Sequence, residues 1–356
     1  MKTERIVKIA LFLAFAAAIS APALFSLCGF RESGPHPEKR APKARPQLPQ
    51  DFPSLPRFAG EYQAYFNDSF GLRRLLIRSN NLLRLGLFGE SPVDLVAVGK
   101  NGWLYYAGEW TMLDYENVMP CTRKDLDVME ANLEQRRRWL ADRGIGFYVV
   151  VAPNTQTIYP EHLPDHIRKI GEESRYDKIA ARMRENPGIE FIDLRNALLQ
   201  AKNGHRLYHR TDSHWNDYGA FIGYRELIER IALRHPGVRR LRAEDFTVKE
   251  AEGKGGDLAE MLSLSDLIRE ERITLTPRFE RRSKPATRDY PDPVHYPERD
   301  MVVTETGDPS LPRVLVFRDS YCSALIPYLS ESFRSVVCLW TFEFLPEIVE
   351  REKPDV

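Results

Sequence analysis

Asp212, Ser213 and His214 put a carboxylate, a hydroxyl and an imidazole at consecutive positions of the stretch Leu207-Tyr208-His209-Arg210-Thr211-Asp212-Ser213-His214-Trp215-Asn216-Asp217-Tyr218-Gly219. An Asp two residues before a His can share one loop with it, orient the ring and fix its tautomer. What the stretch lacks is a nucleophile. Ser320 offers one, because Val314-Leu315-Val316-Phe317-Arg318-Asp319-Ser320 is an apolar strand-like run that ends where a new helix begins. A serine at such a junction exposes its hydroxyl beside a helix N-terminus, which favours negative charge. The two stretches together imply a Ser320, His214, Asp212 triad.

Each member also has a plainer reading. Asp319-Ser320 and Asp212-Ser213-His214 are both good helix caps, the second for the helix that opens near Asn216. His205 and His209 precede His214 at spacings of five and four residues going back from it, with no Cys or nearby Glu, a poor fit to a metal site. Neither a metal nor a cofactor is expected.

The elements that must position these residues alternate. Leu126, Met129, Leu133 and Leu140 mark one face of a helix that ends near Gly144, and Phe147 to Val151 is a buried strand rich in β-branched residues. A helix over residues 176–184, a strand over 191–193 and a helix through Leu198 follow, then the motif loop and a helix from Asn216 to Leu233. Residues 236–312 lose the rhythm and read as an irregular insertion. Residues 313–317, the helix after Ser320, a strand over 335–339 and a helix through Val349 restore it. Strands separated by helices predict an α/β fold, a mostly parallel sheet covered by helices on both faces. In such sheets functional residues gather at the carboxyl ends of strands, where Ser320 falls.

At 356 residues, 43% hydrophobic and 29% charged with zero formal net charge, the chain has ordinary globular composition. A balanced charge gives no argument for a nucleic-acid partner. Cys28, Cys121, Cys322 and Cys338 show no metal spacing and no assignable pairing. Lys2, Arg5 and Lys8 precede an uncharged run from Ile9 to Phe30, long enough at about 1.5 Å per residue to cross a hydrocarbon core of about 30 Å. Positive charge before the run keeps the start in the cytoplasm and sends the rest across. Length favours an uncleaved anchor over a cleaved leader, although Ala16-Ala17-Ala18 and Ala21-Pro22-Ala23 offer small residues for cleavage. The division is an anchor or signal peptide over 1–30, a Pro-rich extended spacer over 31–57 and a folded body over 58–356. Within the body, Leu75, Leu76, Leu82, Leu83 and Leu85 give a helix ended by Gly86 and Gly89, and Asn101-Gly102 joins two short strands in a hairpin. Pro354-Asp355-Val356 reads as the opening of a strand, so the C-terminus is expected to be truncated.

Six short elements carry a resemblance when taken in order: Tyr65-Phe66-Asn67-Asp68-Ser69-Phe70-Gly71-Leu72-Arg73; Val98-Gly99-Lys100-Asn101-Gly102-Trp103-Leu104-Tyr105; Ala152-Pro153-Asn154 with Tyr159-Pro160; Asp212-Ser213-His214-Trp215; Gly256-Asp257-Leu258; and Arg318-Asp319-Ser320. The chain resembles the AlgX/AlgJ family of periplasmic alginate O-acetyltransferases, whose catalytic domain is SGNH-hydrolase-like. It is more similar to the single-domain, membrane-anchored members. Arg318 departs from the pattern, standing where SGNH proteins usually carry glycine.

The resemblance implies an O-acetyltransferase acting on an exported polysaccharide. Ser320 would form an acetyl-serine, His214 would act as base, Asp212 would orient it and the Ser320 N–H would be the first oxyanion donor. Asn154 is a candidate second donor or a turn residue. Trp215 offers a face for a sugar ring or packs beside its loop, Arg318 holds a sugar carboxylate or a surface salt bridge, and Tyr159 lines the cleft or packs. The implied partners are a polysaccharide acceptor, an integral-membrane protein that delivers acetyl groups, and the inner membrane, to which the periplasmic body is anchored unless the leader is cleaved. Two other classes stay open. A carbohydrate acetylesterase would use the same triad with water as acceptor, and a non-catalytic polysaccharide-binding or assembly subunit would use none of it. Product analysis with and without acceptor separates the first two, and Ser320→Ala separates both from the third.

Overall fold

In this computed structural model residues 2–28, 42–49, 51–288, 290 and 301–356 are described. Of the expected spacer, residues 31–41 and 50 lie outside the described residues, residues 42–49 carry no regular secondary structure, and its last three residues already belong to the helix Leu55–Ser69. The apolar N-terminal run is one helix, Lys2–Leu27. Its segment Arg5–Ser26 is long and apolar enough to cross a membrane. Helices Leu55–Ser69 and Arg73–Leu83 come next, and the second runs on as a π-helical turn, Arg84–Phe88. Gly89 stops that turn at a φ of 65°.

Strands β1 (Val96–Val98) and β2 (Leu104–Tyr106) form the expected hairpin. Its turn has Asn101 at a φ of 56° and Gly102 at 77°, the left-handed pair that an Asn-Gly turn adopts at little cost. The alternation then follows the apolar pattern. Thr122 and Asp125 form a capping box at the start of helix Arg123–Ala141. Strand β3 (Tyr148–Val151) pairs in parallel with β4 (Glu190–Asp193), and helix Arg175–Glu185 connects them. Asn216 caps the helix Asp217–Ala232, accepting from the Tyr218 and Gly219 N–H groups. That helix buries Phe221, Tyr224, Ile228 and Ile231 in the main core, against Phe246, Tyr328 and Phe333.

Residues 236–312, read from the sequence as irregular, contain regular structure. Strands β5 (Phe246–Lys254) and β6 (Arg269–Pro277) make a nine-residue antiparallel ribbon, with the short helix Asp257–Met261 in the connection between them. At the ribbon's far end Glu252 pairs with Glu271 and Lys254 with Arg269 on one face, while Arg272 opposite Ala251 and Glu270 opposite Gly253 fall on the other, so charge occupies both faces. The period-two alternation that signals a half-buried strand is therefore missing there. Strands β7 (Lys284–Pro285), β8 (Met301–Glu305), β9 (Arg313–Arg318) and β10 (Ser335–Trp340) complete the set in the order β7-β8-β10-β9. Only β9 and β10 are parallel in that sheet.

The α/β class holds, while among the described residues the sheet is divided. One strand of each parallel pair, β3 and β9, lines a cavity of about 410 Å³. Asp355 and Val356 lie between them: the Gly146 N–H donates to the Asp355 carbonyl, the Leu315 N–H to the Val356 carbonyl, and both Asp355 and Val356 donate to the Arg313 carbonyl. Ser320 follows the carboxyl end of β9 by two residues and Asn154 follows that of β3 by three, so both candidates fall at strand ends.

Candidate active site

The motif loop is a small hairpin. The Asn216 N–H donates to the Leu207 carbonyl at 2.9 Å and the His209 N–H to the His214 carbonyl at 3.3 Å. Tyr208 and Trp215 pair across it, which leaves Arg210 to Ser213 at the tip. Buried Glu270, 1% exposed, fixes that tip from β6. It accepts from the Arg210 N–H at 3.1 Å, the Thr211 N–H at 2.8 Å and the Thr211 hydroxyl at 2.5 Å. Its charge is met by Arg206, 3.1 Å away.

At the tip Asp212 turns back on its own chain. Its Oδ1 accepts from the His214 N–H at 3.1 Å and lies 2.8 Å from His214 Nδ1. The ring's other nitrogen, Nε2, is 2.8 Å from Ser320 Oγ. Three residues drawn from two distant stretches thus form one hydrogen-bonded line, in which Nδ1 carries the proton toward Asp212 and Nε2 is free to accept from Ser320.

A second carboxylate completes the arrangement. Asp257, the first residue of its short helix, accepts from the Ser213 N–H at 2.8 Å and the Ser213 hydroxyl at 2.6 Å. Its own N–H donates to Asp212 Oδ2 at 3.0 Å, and its Oδ2 lies 3.8 Å from His214 Nδ1. Gly256 is what permits the approach: a Cβ there would stand 2.4 Å from Asp212 Cβ, closer than carbon atoms tolerate. The Tyr321 hydroxyl donates to the Ser213 carbonyl at 2.8 Å, and the Tyr321 ring centroid is 5.1 Å from that of His214.

Electrostatics follow from these contacts. Burial opposes the imidazolium, but the hydrogen bond and charge of Asp212 outweigh it, with help from Asp257 and Asp319, and raise the His214 pKa above its ordinary 6.5. Burial likewise opposes ionisation of Asp212. Hydrogen bonds from His214 and the Asp257 N–H, with the charges of His214 and His209, prevail and hold the carboxyl well below the usual carboxylate range. Donor atoms of Asp212, His214 and Asp257 lie within 4.8 Å of one another, a spacing a divalent cation could bridge. Their hydrogen bonds already engage all three side chains.

The other candidates divide. Asn154 precedes the helix Thr155–Ile158 and makes no side-chain cap bond, and its neighbour Thr155 has its hydroxyl 3.5 Å from the Ser213 carbonyl. Arg318 is buried rather than at the surface and makes no salt bridge among the described residues: its Nη1 donates to Ser323 Oγ at 2.8 Å and the Asp319 carbonyl at 3.1 Å, its Nε has no protein partner, and its guanidinium lies over the Trp340 ring. Trp215 has no face for a sugar. It is 2% exposed, its Nε1 donates to the Tyr321 carbonyl at 3.0 Å, and its ring packs edge-on against Tyr321. Tyr159 is a core residue too, 5% exposed, stacked on Trp103 with centroids 4.6 Å apart, its hydroxyl accepting from the Leu207 N–H. Among the described residues all four cysteines are free.

An α/β fold that brings a serine at a strand end onto a His-Asp pair is the arrangement of an SGNH-hydrolase-like domain, and the family comparison selects that class. The profile described as "SGNH hydrolase-like domain, acetyltransferase AlgX" matches residues 96–293, more than half of the chain, and the chain belongs to that family. Asp212, His214 and Asp257 lie within the matched span and Ser320 beyond it. Among curated proteins, the chain is 29% identical over 216 residues to "Probable alginate O-acetylase AlgJ" of Pseudomonas aeruginosa, covering 60% of this chain and 52% of that one. The protein of the same name from Azotobacter vinelandii is 25% identical over 216 residues, with 60% and 53% covered. The chain spans about half the length of the curated relatives it matches. Among solved structures, Bacillus cereus PatB1 superposes with a TM-score of 0.53 at 18% identity, over 73% of this chain and 93% of that one. That likeness is one of fold.

Proposed function

We propose that the chain is an O-acetyltransferase that moves acetyl groups onto hydroxyls of an exported polysaccharide through an acetyl-serine on Ser320. The observation that carries this reading is the line of 2.8 Å contacts from Asp212 through His214 to Ser320. Family membership and the names of the AlgJ relatives support the choice of acetyl group and of a polysaccharide as acceptor.

In the first half-reaction Ser320 Oγ attacks the acetyl carbonyl carbon as its proton passes to His214 Nε2. Asp212 and Asp257 face the imidazolium that results. The tetrahedral oxyanion is held by the Ser320 N–H, with the Asn154 amide as second donor. Its collapse breaks the bond to the donor's leaving group, which takes the proton from Nε2, and leaves the acetyl ester. In the second half a sugar hydroxyl gives its proton to Nε2 and attacks the ester, and collapse returns the proton to Ser320 Oγ. Arg318 shapes the turn that carries Ser320 through the bonds of its Nη1 to the Asp319 carbonyl and Ser323 Oγ. The body works in the periplasm, anchored in the inner membrane by the N-terminal helix, and takes its acetyl groups from an integral-membrane acyltransferase. The apolar N-terminal helix supports that placement.

The test is turnover of a chromogenic acetyl ester followed by intact mass. Ester hydrolysis and an acetyl adduct on Ser320 are expected, with both lost in Ser320→Ala and His214→Ala. Adding oligosaccharide should divert acetyl from water to sugar. Equal inertness of wild type and variants overturns the catalytic reading, and release of acetate alone in the presence of acceptor replaces it with an esterase.

A further inference from the structure

Beside the N-terminal helix, a second apolar surface opens to solvent. Along the helix Arg73–Leu83 and the turn Arg84–Phe88, Leu76, Leu82, Leu83, Leu87 and Phe88 are 44, 50, 57, 71 and 70% exposed. Leu76, Leu83 and Leu87 are spaced seven and four residues apart and so share one side, with Leu82 and Phe88 flanking them. The opposite side is committed to the body. Asn81 is buried and its Nδ2 donates to the Leu262 carbonyl at 2.8 Å, Arg78 pairs with Asp266, and Leu85 packs against the Leu258 and Leu262 cluster. The exposed side is therefore not a core face turned outward.

Its position indicates what covers it. The turn before this helix is docked on the N-terminal helix: the Gly71 N–H donates to Ser26 Oγ at 2.6 Å. A Cβ on Gly71 would stand 2.7 Å from Phe25 Cβ, so only glycine allows the contact. Ser26 ends the 22-residue apolar span that begins at Arg5. At about 1.5 Å per residue that span is about 33 Å long, close to the thickness of a hydrocarbon core. The helix bearing the apolar face thus starts where the span leaves the hydrocarbon. The preceding helix, Leu55–Ser69, buries none of its residues and exposes Tyr62 and Phe66, aromatic rings of the kind the bilayer interface takes.

We propose that the face made by Leu76, Leu82, Leu83, Leu87 and Phe88 lies in the headgroup–acyl boundary of the membrane that the N-terminal helix spans, and holds the body against it. The proposal rests on the reading of that helix as an uncleaved anchor. It also places the active site. The buried side of the same helix supports the Asp257–Met261 helix through Leu258 and Leu262, and Asp257 holds Ser213 beside His214. One short helix then separates the membrane surface from the site, as suits an acyl group that arrives by way of the membrane.

The test uses the full chain in lipid nanodiscs, with the photoreactive residue p-benzoylphenylalanine replacing Leu87, Phe15 or Leu233 in turn. Phe15 is in the N-terminal helix, and Leu233, 76% exposed, ends the helix Asp217–Ala232 away from it in sequence. After irradiation, intact mass reads lipid adducts. Residues 15 and 87 should label at least about ten-fold more than residue 233, because an interfacial helix buries its apolar face among lipid chains. If residue 15 labels while residue 87 labels no more than residue 233, the proposal is overturned and the anchor stands. If residue 15 fails as well, the anchor reading falls and the proposal with it.

Discussion

Asp257→Asn removes a negative charge 3.8 Å from His214 Nδ1 while keeping the side chain's size. Two unit charges about 4 Å apart interact by about 1 kcal/mol in water and about 4 kcal/mol at an effective dielectric of 20. The His214 and Asp257 side chains are 29% and 18% exposed, so screening is partial and the water figure is a lower bound. One kcal/mol corresponds to about 0.7 of a pH unit. The direction follows from the base: His214 works when neutral, and its pKa is raised, against burial, by Asp212 first and then by Asp257 and Asp319. Asp212, Asp257, Asp319, the Ser213 and Ser320 hydroxyls and the Tyr321 ring are the groups that face it. Without Asp257 the imidazolium loses support, and the acid limb of kcat/KM should move to lower pH by at least about 0.7 of a unit. The plateau should fall too, because Ser213 loses an acceptor at 2.6 Å. The assay is the pH dependence of chromogenic acetyl-ester turnover for wild type, Asp257→Asn and Asp257→Glu, the last restoring the limb by restoring the charge. A lower plateau on an unmoved limb would reduce Asp257 to a structural residue, and a limb displaced upward would refute the electrostatic reasoning.

Three further expectations rest on separate contacts. Glu270→Gln removes the nearer carboxylate of Arg206 and leaves it Glu271 at 3.7 Å, so the cost should approach but not exceed the about 3–5 kcal/mol of a broken buried pair. The urea midpoint should fall at unchanged slope, and a change below about 1 kcal/mol would show the carboxylate to be dispensable. Trp215→Phe deletes the Nε1–H bond to the Tyr321 carbonyl and should cost about 1–3 kcal/mol. It should leave the KM for oligosaccharide unchanged, whereas a raised KM would restore the indole as a sugar platform. Asp212 has a depressed pKa in the folded state, so it contributes stability that is present above the unfolded value of 3.8 and is lost as pH falls toward the folded one. Urea midpoints of Asp212→Asn should therefore fall less steeply under acid than those of wild type, and parallel curves would contradict the linkage.

How much of this was legible depends on how far apart in the chain the partners lie. Asp212 and His214 are two residues apart, and an Asp that closes a turn onto a nearby imidazole is a local event that spacing reveals. Ser320 was readable because the apolar run of β9 stops at Arg318, marking a strand end where a hydroxyl is exposed. Asp257 and Glu270 carry no local mark. Their meaning comes from contacts with residues 44 and 59 positions away, and Glu270 sits in the charged run Arg269-Glu270-Glu271-Arg272 that reads as solvent-facing. The β5-β6 ribbon was hidden for the same reason, since charge on both faces removes the period on which strand reading depends. Trp215 and Tyr159 could be read two ways from the sequence. Aromatic rings beside a catalytic motif suit sugar stacking and core packing equally well, and only burial decides between them. Here the helix Asp217–Ala232 draws Trp215 inward onto Tyr321, so the indole braces the turn that carries Ser320 from within the core. The tryptophan–carbonyl hydrogen bond thus joins the His214 loop to the Ser320 turn from the core side, beside the Tyr321 hydroxyl's bond to the Ser213 carbonyl and the His214–Ser320 contact itself, which is why its loss should appear in stability before it appears in binding.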